Sequence, residues 1–342
     1  DAYSYLVIIQ VMDVNMRFVL PLVFSALASM PAYSGLAPSE GFSGNFSVLA
    51  GFYSDSSNLS TEQDSNQATN TQEGESENQG LLGFLGTVQY TFGESLTHQV
   101  YAGTTREDIA TGTIAFEIGY RYQLSGGTIL DFSVIPTLIS GKAWTDPYAV
   151  GVNRNETDVK GNVGRLQLTN IGGTGFRTDL AFGQSDVDEE LSGSQGLSPE
   201  DTVLLDRERT YVYAKAGYRF ILPNHAGLFV PSMVYFHSDA EGGALSFDSY
   251  GIELNYAKRI GRHGFVVTLD ASDREYDESN PIYGQVREEN EFGAFLAYEF
   301  GGLMGYKDWA FITLLGLRSI DSNIDFYNSE QVLASVGVDY KF

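Results

Sequence analysis

The feature that most restricts how this chain folds is a period of two. In "TIAFEIGYRYQL", Ile114, Phe116, Ile118, Tyr120 and Tyr122 alternate with Ala115, Glu117, Gly119 and Arg121. "DSYGIELNYAKR" sets Tyr250, Ile252, Leu254 and Tyr256 against Gly251, Glu253 and Asn255. "NEFGAFLAYEF" and "TGFRTDLAFG" repeat the pattern, with Phe292, Leu296, Tyr298 and Phe300, and then Phe176, Leu180 and Phe182, on the apolar parity. The chain ends the same way: in "VLASVGVDYKF", Val332, Ala334, Val336, Val338, Tyr340 and Phe342 share one parity. Successive side chains of a strand point to opposite faces, so each segment reads as a strand with one apolar and one polar face.

Such strands form either a sandwich, with apolar faces meeting each other, or a membrane barrel, with apolar faces meeting lipid. Tyrosines recur at the ends of the apolar faces. That suits an interfacial belt better than a dry core, where each hydroxyl would need a partner. Cysteine is absent, which removes disulfide scaffolds, zinc–thiolate sites and thiol catalysis together. A net charge of -24 argues against nucleic acid as a partner.

Met16 and Arg17 precede an apolar run from Phe18 to Met30, closed by Ala32-Tyr33-Ser34. This is the plan of a secretory signal cleaved after Ser34, and the run is short for a membrane span. Residues 1–15 read as an upstream extension, 16–34 as the signal and 35–342 as one barrel domain. Short joints at 93–96, 125–127, 172–173, 222–227, 261–264 and 301–308 alternate with longer ones near 55–78, 107–111, 141–161, 184–206, 238–246, 273–288 and 319–329. Seven long and six short joints require fourteen strands; without the tight 107–111 hairpin there would be twelve. The expected fold is an all-β, transmembrane, antiparallel up-and-down barrel with both termini on the periplasmic side and acidic loops outside.

"GFSGNFSVLAGFYSDSSNLS", "QVYAGTTREDIATGTIAFEIGYRYQL", "SGKAWTDPYAVGVNRNETD" and "GTGFRTDLAFG" carry a resemblance to a domain-of-unknown-function family of Gram-negative outer-membrane proteins, from about Gly41 to Phe342. The resemblance implies location and fold and brings no catalytic residues. A final strand ending in an aromatic also resembles the signal read by the barrel assembly machinery, which would assign that role to Val338, Tyr340 and Phe342.

The polar parity is expected to line the interior. It collects Arg121, Arg165, Arg177, Lys215, Arg219 and Arg318 with Glu117, Asp131, Asp179, Glu253, Asp270 and Glu299. Five of the basic residues fall on strands four to eight, a basic wall that would favour anionic or hydroxyl-rich solutes such as oligosaccharides. Mutual pairing across strands, which simply satisfies a wet interior, is the plainer reading. Fourteen strands lie between side-chain-filled barrels of about eight and open porins of sixteen to eighteen.

Twenty of the 44 acidic residues fall within 55–78, 184–206 and 273–291, expected as hydrated, mobile loops. Calcium bridging to lipopolysaccharide is the sharper alternative, without a D-x-D-x-D-G spacing to support it. The segment 141–161, with Trp144, Pro147 and Tyr148, is long and aromatic enough to fold inward.

No enzyme, metal or cofactor is expected. His98, His225 and His263 fall at short joints, and His237 and Ser238 are adjacent and so point to opposite faces. Gly172-Gly173-Thr174-Gly175 lacks the Lys of a phosphate loop. The expectation is an outer-membrane channel for passive diffusion of small hydrophilic solutes, in contact with lipid and lipopolysaccharide. The alternative is a non-conducting surface protein whose acidic loops bind cations, partners or phage.

Overall fold

The structure, a computed structural model, describes residues 36–104, 115–137 and 140–342. The signal segment 16–34, the extension 1–15 and the 107–111 joint lie outside the described residues.

The alternating segments form strands β1 (Gly41–Asp55), β2 (Glu77–Phe92), β3 (His98–Gly103), β4 (Glu117–Gln123), β5 (Ile129–Pro136), β6 (Gly141–Trp144), β7 (Glu156–Thr169) and β8 (Phe176–Val187). They continue as β9 (Arg209–Tyr218), β10 (Phe220–Leu222), β11 (Gly227–Ala240), β12 (Phe247–Ile260), β13 (His263–Asn280), β14 (Gln285–Gly301), β15 (Trp309–Ser322) and β16 (Ser329–Lys341). β5 and β6 both pair with β7, and β9 and β10 both pair with β11, so each couple is one stave. The result is a closed antiparallel barrel of fourteen staves.

The seam is β1 against β16, in register from Asn45↔Lys341 to Asp55↔Gln331. Phe342 extends it: its N–H donates to the Gly44 carbonyl, and the Gly44 N–H donates to the Phe342 carbonyl, each at 3.0 Å. Gly337 permits close approach there, since a β-carbon on it would sit 2.1 Å from the Val48 carbonyl oxygen. At the short-turn end, Gly261 takes a left-handed φ of 59° between β12 and β13, where a bulkier residue would be strained.

Outside, the apolar parity is bare. Leu82, Ile118, Phe132, Phe182, Ile252 and Val336 are each at least two-fifths exposed around the whole circumference. A closed barrel with this continuous apolar band is a transmembrane barrel of the outer-membrane type. Aromatic rings belt the short-turn end: Phe42 with Tyr90, His98 with Tyr122, Phe176 with Tyr218, His263 with Phe300 and Trp309 with Tyr340 have centroids 4.8–5.0 Å apart. Val338, Tyr340 and Phe342 face outward into this belt or just above it.

Two expected joints differ from what the structure shows. The acidic stretch 273–288 is mostly strand: β13 runs to Asn280, β14 starts at Gln285, and four residues join them. The 141–161 joint likewise contains β6 and the start of β7. The reason is length. A tilted strand crosses the bilayer in about ten residues, and β13 has eighteen. Its long-loop end stands clear of lipid, so polar residues there keep their hydrogen-bonded ladder without an apolar face.

Candidate functional site in the barrel interior

All twelve residues expected to line the interior lie on the inward parity or, for Arg219, at the break between β9 and β10. Most are buried, and the barrel gathers them into pairs. On β4 and β5, Arg121 and Asp131 sit directly opposite, with Nε donating to Oδ2 at 2.7 Å. Arg121 also covers the Tyr101 ring at 4.1 Å, and the Tyr101 hydroxyl donates to Asp131 at 2.8 Å and to Glu117 at 3.3 Å. Arg165 on β7 binds two carboxylates at once: Glu117, two staves away on β4, and Asp179 on β8 at 3.0 Å. Lys215 pairs with Glu253 at 3.7 Å, and Glu253 accepts from Asn255 at 2.6 Å. Arg318 meets Asp270 at 3.5 Å and Glu291. Glu299 accepts from Arg259 and Lys341, each at 3.1 Å. Arg177 lies near Arg219 and opposite Gly217 on the same wall.

From β4 to β9 these groups make a contiguous charged wall, and Glu253, Asp270, Glu291, Glu299 and Arg318 carry charge on to β12–β15. The other side of the interior is mixed, and its apolar part is large. Leu49, Leu85, Leu228, Val230, Val266, Phe295 and neighbours from β1, β2 and β11–β16 form one buried apolar cluster. Sequence reading missed this wall, because apolar residues on both parities of one strand blur the alternation. The signal was there in "GFVVTLD" and "FITLLG", where apolar residues run consecutively. The two walls together leave Gly119 and Asn255 facing packed side chains rather than water: a β-carbon on Gly119 would lie 2.4 Å from the Tyr101 ring, and Asn255 is fully buried.

The long-loop end is closed by a cap. Residues 56–76, 145–155, 188–208, 241–246, 281–284 and 323–328 converge over the barrel, and Tyr148, Leu205, Ala244, Ile324, Phe326 and Tyr327 form its buried apolar centre. Asp146 shapes the second of these segments, accepting from the backbone N–H of Tyr148 and of Gly193 at 3.0 Å each. Arg154 stitches the cap: its guanidinium donates to the carbonyls of Asn58, Asp64, Ser65 and Pro147 and stacks 4.2 Å above the Trp144 ring. Burial pulls the Arg154 guanidinium down to about 10, and burial pushes the Tyr148 phenol up. The Trp144 indole donates to the Ser60 carbonyl at 3.0 Å, and Asn58 donates to the Phe326 carbonyl at 2.9 Å. The loops expected to be hydrated and mobile are therefore interlocked. Arg274, Arg287, Glu289 and Glu291, placed by sequence in an acidic loop, turn inward beneath the cap and are buried.

His98, His237 and His263 lie on the outward parity of their strands. His98 and His263 contact the hydroxyls of Tyr120 and Tyr298 at 2.6 and 2.9 Å within the aromatic belt. His237 faces outward and meets Asp248, its neighbour across β11 and β12, at 3.0 Å, while the adjacent Ser238 is buried inside. Among the described residues, no group of three or more His, Asp or Glu side chains is arranged to hold a metal ion. Gly172 and Gly173 form a turn entered from Asn170 in the left-handed region.

Residues 41–341 match the model of a family described as "Protein of unknown function (DUF2860)". Comparison with curated proteins finds no match. Among solved structures, OmpT of Vibrio cholerae overlaps with a TM-score of 0.41 at 10% identity, covering 90% of this chain and 99% of that one. An anion-selective porin from Comamonas acidovorans gives 0.39 at 10% identity, covering 88% and 100%. The outer-membrane channel DcaP of Acinetobacter baumannii gives 0.40 at 8% identity, covering 90% and 100%. At these values the likeness is one of barrel architecture alone.

Proposed function

The chain belongs to the DUF2860 family, and we propose that it is an outer-membrane channel for passive diffusion of small hydrophilic solutes, held in a closed state by its cap. The long-loop end faces the exterior and both ends of the barrel chain face the periplasm, as the long-loop and short-turn asymmetry suggests. The observation that carries the reading is the network of buried ion pairs inside the barrel beside a large apolar cluster. Buried ion pairs are generally no more stable than apolar residues of the same volume, and often less. The apolar cluster means that this barrel can fill part of its interior with hydrocarbon. Retaining Glu117, Arg121, Asp131, Arg165, Asp179 and Lys215 in the rest is explained by a polar path rather than by stability.

Along that wall a hydrated solute exchanges hydrogen bonds with groups that already hold several partners. Arg177 beside Arg219 supplies positive charge close to the permeating species, whereas Arg165, shared between Glu117 and Asp179, is neutralised. Acidic residues on the cap are screened over about 8–10 Å at physiological salt and act more weakly. Proteoliposome uptake of neutral and acidic oligosaccharides tests this. Acidic sugars should enter faster than neutral ones of equal size, and Arg177→Gln with Arg219→Gln should remove the difference. Unchanged discrimination in a folded double variant would sink the selectivity part of the reading.

A second reading has its own observation. The cap is a folded surface of interlocked loops, which is what a non-conducting surface binder would present. A binder would lose its partner on deletion of 146–153 and gain no permeability; a channel would gain permeability.

A further inference from the structure

Beneath the cap, where the strands outrun the apolar band, lies a cavity of about 30 Å³. Arg207, Arg209 and Arg287 line one side of it. Two of these are neutralised. Arg207 grips Glu190 through Nε at 2.5 Å and Nη2 at 3.0 Å, and Arg287 donates from Nε to Glu289 at 2.6 Å. Arg287 also stacks 3.4 Å from the Tyr327 ring.

Arg209 is different. It is 5% exposed, its Nε donates to the Arg207 carbonyl at 2.9 Å, and among the described residues no carboxylate pairs with it. Arg207 and Arg287 act on it with like charge. A buried cation without a counter-charge is strongly unfavourable, so the cavity is electrostatically incomplete. Its opposite side is apolar: Ala143, Val159 and Val187 form a buried cluster that also lines the cavity.

We propose that this chamber binds the carboxylate of a small aliphatic acid. The guanidinium fork of Arg209 takes the two carboxylate oxygens side by side, the geometry in which arginine binds such groups most strongly. The short hydrocarbon tail lies against Val159 and Val187. The volume holds about two water molecules, which limits the acid to about acetate size. An inorganic anion would satisfy Arg209 and leave the apolar side unused. This site stands whether or not the barrel conducts, because it needs only the folded cap.

Isothermal titration of the detergent-solubilised full chain tests the assignment with acetate, acetamide, chloride and phosphate. Acetate should bind saturably at one site per chain, and acetamide should not bind. Arg209→Gln should weaken acetate by at least about tenfold, as expected for loss of a charge-assisted pair, and Arg209→Lys should retain part of the affinity. Val187→Phe, which fills the apolar side and leaves Arg209 in place, should also block acetate. It carries the test if Arg209→Gln does not fold. Wild-type affinity in a folded Arg209→Gln or Val187→Phe barrel would overturn the proposal. So would the absence of saturable acetate binding by wild type. Equal displacement of acetate by chloride and phosphate would overturn it too, by showing a simple anion hole.

Discussion

The hydroxyls of Tyr148 and Tyr327 lie 2.7 Å apart, although 179 residues separate them. One comes from the segment after β6 and the other from the turn before β16, so the bond ties opposite sides of the barrel mouth together. Asn280, at the tip of β13, donates to the same Tyr327 hydroxyl at 2.8 Å. Each of these groups is buried, so breaking the tie leaves a desolvated polar atom at a cost of about 1–3 kcal/mol. The mouth is shut by specific bonds rather than by the bulk of the loops.

Arg154 is the group on which the cap most depends. Its guanidinium satisfies carbonyls on 58–65 and at Pro147, and charge-assisted bonds of this kind are worth about 1.5–3 kcal/mol each without being additive. Arg154→Ala should release residues 56–76 and 145–155 while leaving the barrel intact. Limited proteolysis should cut within those segments, with unchanged heat-modifiable migration. Protection equal to wild type would show that the apolar centre alone holds the cap.

Glu117, Arg165 and Asp179 form a buried triad. Removing one member of such a group costs about 3–5 kcal/mol, whereas replacing all members with apolar residues is often neutral or stabilising. Arg165→Met alone should lower the unfolding midpoint in urea. Glu117→Leu, Arg165→Met and Asp179→Leu together should recover most of the loss. A triple variant less stable than the single one would mean that the triad contributes net stability and is not retained for transport.

Outward and inward parities respond to substitution for different reasons. Ile118→Arg puts a charge into lipid and should cost about 2–4 kcal/mol if near the bilayer midplane. Gly119→Ala, one residue on, should also destabilise, because its β-carbon meets the Tyr101 ring that joins Glu117 to Asp131. Adding Tyr101→Phe should not relieve it, since the ring carbons make part of the clash; Tyr101→Ala should relieve part of it. Refolding into vesicles at graded urea measures both, and an unaffected Gly119→Ala would place that face in open solvent.

The cap should also respond to acid. Partial burial raises the Glu62 carboxyl above its ordinary 4.5, helped by the nearby charge of Glu156. A carboxyl raised on folding binds more protons in the folded state between its ordinary and its raised values, so folding weakens as pH climbs through that window. Its contribution is complete below about 4.5. Hydrogen exchange of 56–76 should therefore slow on moving from neutral pH toward 4.5, after correction for intrinsic rates, and Glu62→Gln should flatten the dependence. Identical profiles for wild type and Glu62→Gln would assign any acid effect elsewhere.

Much of the barrel was legible in local pattern. The parity of Val332 to Phe342 and the alternation of short and long joints follow from steric rules that act within a strand or a turn. Partners across staves were not legible. Arg165 meets Glu117 because two intervening registers bring them level, and no single segment records that. The apolar wall was hidden because Val266 and Leu314 have apolar neighbours on both parities. The cap was hidden because its bonds join residues such as Tyr148 and Tyr327, whose proximity exists only once the barrel has closed. Arg209, the proposed ligand group, reads in sequence as one of two basic residues in "DRERT"; its isolation appears only when its surroundings are assembled.

Single-channel recording of the purified barrel beside a Tyr148→Ala, Tyr327→Ala variant tests the central claim most directly. With the cap tied, wild type should show long closed intervals and rare openings at low voltage. With the tie removed, the open probability should rise by about an order of magnitude or more, as loss of roughly 1.4 kcal/mol or more of closing energy requires. A variant that folds and inserts normally but shows no conductance at any voltage would contradict the account and leave a barrel that does not transport.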